Sequence, residues 1–138
     1  MQPLMLCTVG PERLDEVWPQ AAPLLNKALE TSDGELDLSQ LRLLVATGAA
    51  RLVLGIRDGV VVGAAAVEFI QYPNYRVASV IAIGGSGLLA SKDAFVQLKA
   101  WAKSQGASKL QGYCGEAVTR LWRRFGMEQT YIVVRCDL

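Results

Sequence analysis

The stretch Arg51–Ile70, RLVLGIRDGVVVGAAAVEFI, constrains the architecture more than any other part of the chain. Arg51–Ile56 and Val60–Ile70 are both rich in aliphatic, β-forming residues, and Arg57-Asp58-Gly59 separates them. Asp-Gly between two such runs is a strong hairpin signal, because the favoured tight turn needs φ > 0 at both central residues. From Val60 to Val67 no position is polar. A strand with one wet face alternates apolar and polar residues; this one does not, so it is expected to be covered on both faces. The rest of the chain must then supply helices for two sides of a sheet.

It carries the patterns to do so. Met1–Val9 is an apolar run of strand length, and Pro11 suits a first helical turn. In Glu12–Glu30, Leu14, Trp18, Ala21, Leu25 and Leu29 recur near a 3.6-residue period. Pro19 and Pro23 are expected to kink or break that helix, so two short helices are an alternative. Thr31–Glu35 is a polar connector. Asp37 with Gln40 three residues on resembles a capping box, opening a second helix that ends near Gly48. Beyond the hairpin, Tyr72-Pro73-Asn74-Tyr75 is a turn and Arg76–Ile83 a strand that runs into Gly84-Gly85-Ser86-Gly87. Ser91 suits the N-cap of a helix through Gln105, ended by Gly106. Lys109–Cys114 is a further strand. Glu116–Met127, EAVTRLWRRFGM, reads as a short helix stopped at Gly126, and Thr130–Cys136 as a last strand. The order β, α, α, β, β, β, α, β, α, β predicts an α/β (α+β) fold: one domain over residues 1–138, with a mixed sheet of about six to seven strands and helices on both faces.

Composition narrows the chemistry. A chain of 138 residues buries roughly 68% of its unfolded surface, enough for a core without staples. The net charge of +1 gives no field for nucleic acid or an anionic membrane, and no apolar run reaches the ~20 residues of a bilayer span. A cytoplasmic location is expected, or a particle assembled in a cytoplasm. With no histidine, Ser-His-Asp and Cys-His nucleophile systems are excluded. Cys7, Cys114 and Cys136 form no CxxC pair and are expected to be reduced, mostly buried thiols, with no metal site. Acid–base work falls to carboxylates, tyrosines, a cysteine, a lysine or water. Glu68, inside an apolar strand, is the best candidate base, since burial favours a carboxyl's neutral form; a solvent-facing carboxylate is the plain alternative. Arg120, Arg123 and Arg124 form a basic patch that reads most simply as a solvated helix face, and Trp18, Trp101 and Trp122 as core.

The element order, with AWAKSQGASKLQ (Ala100–Gln111) and LWRRFGM (Leu121–Met127), resembles the GCN5-related N-acetyltransferase (GNAT) superfamily over nearly the whole chain. AWAKSQGASKL is similar to the family's third helix and its exit into the fifth strand; LWRRFGM is similar to its Leu-Tyr-x-x-x-Gly-Phe segment. The resemblance implies an acetyl-CoA site where the fourth and fifth strands part. The cofactor's pantetheine arm would pair with backbone at Ile81 and Ile83. Its pyrophosphate would sit on amides at the start of the third helix, where free N–H groups and the helix dipole favour an anion. The family's loop pattern, Arg/Gln-x-x-Gly-x-Gly/Ala, falls on Ser86, Leu89 and Ser91, so this is a divergent P-loop. Either Gly84, Gly85, Ser86 and Gly87 with Ser91 and Lys92 form a re-registered phosphate cradle, or the glycines serve only a tight turn. The family's tyrosine that protonates the leaving thiolate aligns with Trp122, whose indole N–H lacks the acidity. Tyr113 and Cys114 are the nearest substitute donors.

Two functions follow from the resemblance, with a small ligand-binding regulator as a third option. The first is an acetyl-CoA-dependent N-acetyltransferase acting on a small-molecule or peptide amine. The second is a catalytically inactive domain on the same scaffold with a protein partner. Short divergent domains of this kind occur among bacteriophage proteins, some of them virion components. Asp33 and Glu35 are the distinctive residues of the region that shapes acceptor pockets in such folds. Thr130–Cys136 also suits pairing across a homo-oligomer.

Overall fold

The computed structural model describes residues 3–85 and 91–138. Its sheet has five strands in the order β1-β2-β3-β4-β5. β1 (Met5–Val9) pairs antiparallel with β2 (Arg51–Arg57), which forms the hairpin with β3 (Val60–Gln71). At its turn Asp58 has φ 53° and Gly59 φ 75°, the left-handed pair that the Asp-Gly signal predicts. β4 (Arg76–Gly84) pairs antiparallel with β3, and β5 (Lys109–Gly112) runs parallel to β4 after a helical crossover.

Helices α1 (Leu14–Glu30) and α2 (Leu38–Ala46) cover one face; α3 (Lys92–Ser104) and α4 (Glu116–Arg123) cover the other. The strands alternate between two cores. Leu52, Leu54, Ala64 and Ala66 meet α1 and α2, whereas Val53 and Val67 join Leu98, Ala102 and Trp122 of α3 and α4. Ala64, Ala65 and Ala66 are all buried, which is the two-sided cover expected for this strand. Asp37 and Gln40 cap α2 reciprocally, each side chain bonding the other's backbone N–H. α3 and α4 end alike. Gly106 (φ 88°) and Gly126 (φ 93°) bond back to Lys103 and Arg123, and Ala107 and Met127 bond back to Ala102 and Trp122. Both are Schellman stops, which need a left-handed residue at low cost.

Several expectations change. The first helix is one 17-residue element, not two. Pro19 and Pro23 lie on its exposed side, so the carbonyls of Asp15 and Pro19 that lose an N–H partner face water. The first strand covers Met5–Val9, and Met1 and Gln2 lie outside the described residues. Among the described residues the sheet has five strands rather than six or seven, because Thr130–Cys136 pairs with none. β-propensity expresses fit to a half-buried pleated surface and creates no neighbour by itself. All three cysteines are exposed: Cys7 sits on an edge strand, Cys114 beyond the end of β5, and Cys136 in the unpaired segment. No described helix is long and apolar enough to cross a membrane.

The outer edge of β1 is not bare. The Gln97 side chain of α3 accepts a hydrogen bond from Leu6 N–H (2.9 Å) and donates one to the Leu4 carbonyl (2.8 Å). One amide side chain thus does for β1 what a neighbouring strand would do.

Candidate functional site

The candidate site is built by an irregularity in β4. Ala66 pairs with Ala82, but Val67 pairs with Val80, leaving Ile81 as an extra, unpaired residue. The bulge changes which side each residue meets: Ala78 and Val80 join the α3/α4 core, whereas Ala82 joins the α1/α2 core. A bulge also bends and twists its strand. β4 and β5 stay paired from Val77↔Lys109 to Val80↔Gly112 and no further. From Ile81 to Gly84, therefore, β4 has no strand on its β5 side among the described residues, and the sheet opens between β4 and β5.

The opening is lined by apolar side chains. Val80, Ile83, Phe95, Leu110, Trp122 and Met127 surround a crevice of about 10 Å³, room for roughly one water. Trp122 is buried there, at the end of β5. A Cβ on Gly112 would stand 2.6 Å from its indole, so a glycine is required for the ring to come this close. Phe95 stacks on Phe125 with centroids 5.2 Å apart, which ties α3 to the end of α4.

At the far end of the open edge, Ser91 caps α3 by accepting from Ala94 N–H at 3.1 Å. The Lys92 and Asp93 amides lie in the first turn, where N–H groups have no intrahelical partner. Lys92 is exposed and adds positive charge; the neighbouring Asp93 carboxylate opposes it and accepts from Gln97 at 3.3 Å. Gly84 and Gly85 each have a packing reason to be glycine. A Cβ at Gly84 would lie 2.1 Å from the Leu24 carbonyl oxygen of α1, and one at Gly85 (φ +103°) 2.2 Å from the Val62 carbonyl oxygen. Ser86 and Gly87 lie outside the described residues.

The residues read from sequence as catalytic are distributed unevenly. Glu68 is half-buried on β3, in register with Ser79 of β4, which is in register with Gln111 of β5. Strand alternation turns all three toward the α1/α2 side, one row before the bulge. Ser79 is fully buried, and Gln111 Nε2 donates to its hydroxyl at 3.4 Å. Sequence reasoning passed over Ser79 and Gln111, although a lone serine inside VASVIAI was a usable signal. Tyr113 and Cys114 do not join this row. The strand expected to hold them ends at Gly112, Tyr113 is 73% exposed, and Cys114 Sγ lies 3.3 Å from Thr119 Oγ1 at the start of α4. Arg120, Arg123 and Arg124 are exposed, as a solvated face requires.

No protein-family model and no curated protein sequence matches the chain. Solved structures of the same fold do. An aminoglycoside acetyltransferase from an uncultured soil metagenomic sample, in complex with sisomicin, aligns with TM-score 0.72 and 11% identity over 98% of this chain and 96% of its own. A ribosomal-protein-alanine N-acetyltransferase from Brucella melitensis biovar Abortus 2308 aligns with TM-score 0.71 and 17% identity over 99% and 100%. A predicted acetyltransferase with acetyl-CoA from Clostridium acetobutylicum gives TM-score 0.68 and 11% identity over 98% and 96%. At these identities the likeness establishes the fold.

Proposed function

We propose that this chain is a GNAT-type N-acetyltransferase that moves an acetyl group from acetyl-CoA to an amine. The observation that carries the reading is the open β4 edge, Ile81–Gly84, starting at the bulge and leading to the first turn of α3. Such an edge offers backbone N–H and C=O groups to the amides of a pantetheine arm, in the manner of an added strand. The Lys92 and Asp93 amides would receive the pyrophosphate, with Lys92 supplying charge. The thioester would then stand near the bulge, where a backbone N–H can polarise its carbonyl oxygen. Placement of an amine there supplies most of the rate, and direct attack needs no covalent intermediate. Glu68 takes the proton that the amine loses, directly or through water, and Tyr113 or Cys114 returns one to the departing thiolate.

A second reading has its own observation. Trp122 and Met127 fill the crevice, and Gly84 and Gly85 are accounted for by packing. On that reading the scaffold is kept for binding or assembly with a protein partner, and catalysis is lost.

Thermal unfolding with acetyl-CoA separates the two. Ligand at about 100 times its Kd adds ~2.7 kcal/mol. For a domain of this size that is a rise of roughly 8 °C in Tm. Release of free CoA thiol on addition of an amine panel then reads catalysis. An unmoved Tm in saturating acetyl-CoA removes the enzyme reading.

A further inference from the structure

We propose that Arg51 and Arg76 form a binding site for the phosphate group of a small phosphate monoester, at the end of α3 opposite the one that faces the β4–β5 opening. Arg51 begins β2 and Arg76 begins β4, and strand alternation turns both toward the α3/α4 side. Their guanidinium groups converge. Arg51 Cζ lies 5.8 Å and Arg76 Cζ 4.6 Å from the centroid of one ring, Phe69. Both also bond to one residue just past α3. Arg51 Nη1 donates to Gln105 Oε1 at 3.4 Å, and Arg76 Nε donates to the Gln105 carbonyl at 3.2 Å. Two cations this close repel each other, and an anion between them removes the repulsion. No carboxylate does so among the described residues, whose ion pairs are Arg13–Glu16, Arg42–Asp15 and Arg135–Asp33.

Helix capping explains one of the two arginines. Arg76 closes a carbonyl at the end of α3, where a cation is favoured. Arg51 has no such duty, since its bond is a long one to a glutamine side chain. A guanidinium has five N–H donors, and each of these spends one among the described residues. The forks that remain match a phosphate monoester, which brings about two negative charges and three acceptor oxygens. A carboxylate brings one charge and two oxygens, enough for a single fork. The α3 dipole opposes an anion at this end, but with about half a charge against two full ones. The site is also partly built in advance: both guanidinium groups lie over Phe69, and Trp101 meets that ring edge-on with centroids 5.5 Å apart. The 13 residues of α3 hold it roughly 20 Å from the Lys92 and Asp93 amides, at 1.5 Å per residue, so it is not the pyrophosphate position of a bound cofactor.

The test is a titration of the full chain with inorganic phosphate, followed in proton–nitrogen correlation spectra at an ionic strength held constant with sodium chloride. The expected result is saturable shifts at the Gln105 and Gly106 amides and at the Nε–H signals of Arg51 and Arg76, reproduced by glycerol phosphate. Arg51→Gln and Arg76→Lys should each weaken binding about tenfold, because the lysine keeps the charge and loses the fork. Should Arg76→Lys disturb α3, Arg51→Gln at its exposed strand end still decides. Shifts that grow without saturation, saturable shifts confined to Lys92 and Asp93, or an affinity unchanged in Arg51→Gln each overturn the proposal. So does a phosphoserine peptide or a single-stranded oligonucleotide that engages the same residues about tenfold more tightly than glycerol phosphate, which would assign the site to a macromolecule. Acetyl-CoA enters none of these measurements, so the outcome is independent of the enzyme reading.

Discussion

Gly112 and Trp122 occupy one space: the position where a Cβ on Gly112 would stand lies 2.6 Å from Cζ3 and 2.8 Å from Cη2 of the indole. The last residue of β5 is bare so that the ring of α4 can close the floor of the β4–β5 opening. Gly112→Ala should therefore push Trp122 out of place. The expected cost is about 1–3 kcal/mol, as for other overpacked sites, with a red shift in tryptophan emission as the buried indole meets water. Denaturant unfolding followed by fluorescence checks both.

Gly85→Ala distinguishes the two roles open to the glycine loop. The new methyl meets the Val62 carbonyl oxygen, and φ +103° is unsuited to alanine. Stability is expected to fall by at least ~1 kcal/mol. If the glycine serves packing alone, acetyl-CoA affinity measured by calorimetry below the new Tm stays as it was. A large affinity loss in a folded variant assigns the residue to phosphate binding.

Glu68→Gln preserves shape and removes the proton acceptor. With an active enzyme, kcat/KM should fall by ~10²–10⁴, the usual worth of a positioned base. Tyr113→Phe and Cys114→Ser should be milder singly, because the proposed function gives the thiolate's proton to either group.

Asp37 carries a pH dependence of its own. The Gln40 backbone N–H, then the Ser39 hydroxyl, bond its carboxylate and lower its pKa. A depressed folded pKa means that the cap stabilises fully above the ordinary carboxylate range and that this is lost as pH falls through the folded value. Asp37→Asn keeps an N-cap acceptor without the charge. Its Tm deficit against the parent chain, followed by circular dichroism, should shrink as the solution is acidified.

Gln97→Leu removes both hydrogen bonds at the β1 edge. At about 1 kcal/mol each, less what water restores at a half-exposed site, a loss of ~1–2 kcal/mol is expected. Faster amide exchange at Leu6 is the direct readout.

What the sequence made legible was local and chemical. Asp58-Gly59 announces its turn because few residues tolerate its dihedrals, Asp37 and Gln40 announce a cap by their spacing, and Gly106 and Gly126 announce helix ends. What it hid depends on the environment. Pro19 and Pro23 are compatible with an unbroken helix only because their side of α1 is wet. Ile81 looks like any aliphatic strand residue, yet its unpaired place opens the sheet. The parting of the fourth and fifth strands and the burial of Trp122 match what the sequence led one to expect. The row Glu68–Ser79–Gln111 was not complete until three strands came into register.

The clamp of Gln97 on Leu4 and Leu6 also limits what the molecule can grow into. A sheet free on both sides is a template for open-ended stacking, chain upon chain. Here Gln97 holds Leu6 N–H and the Leu4 carbonyl, so a strand approaching that stretch of β1 finds both groups already bonded.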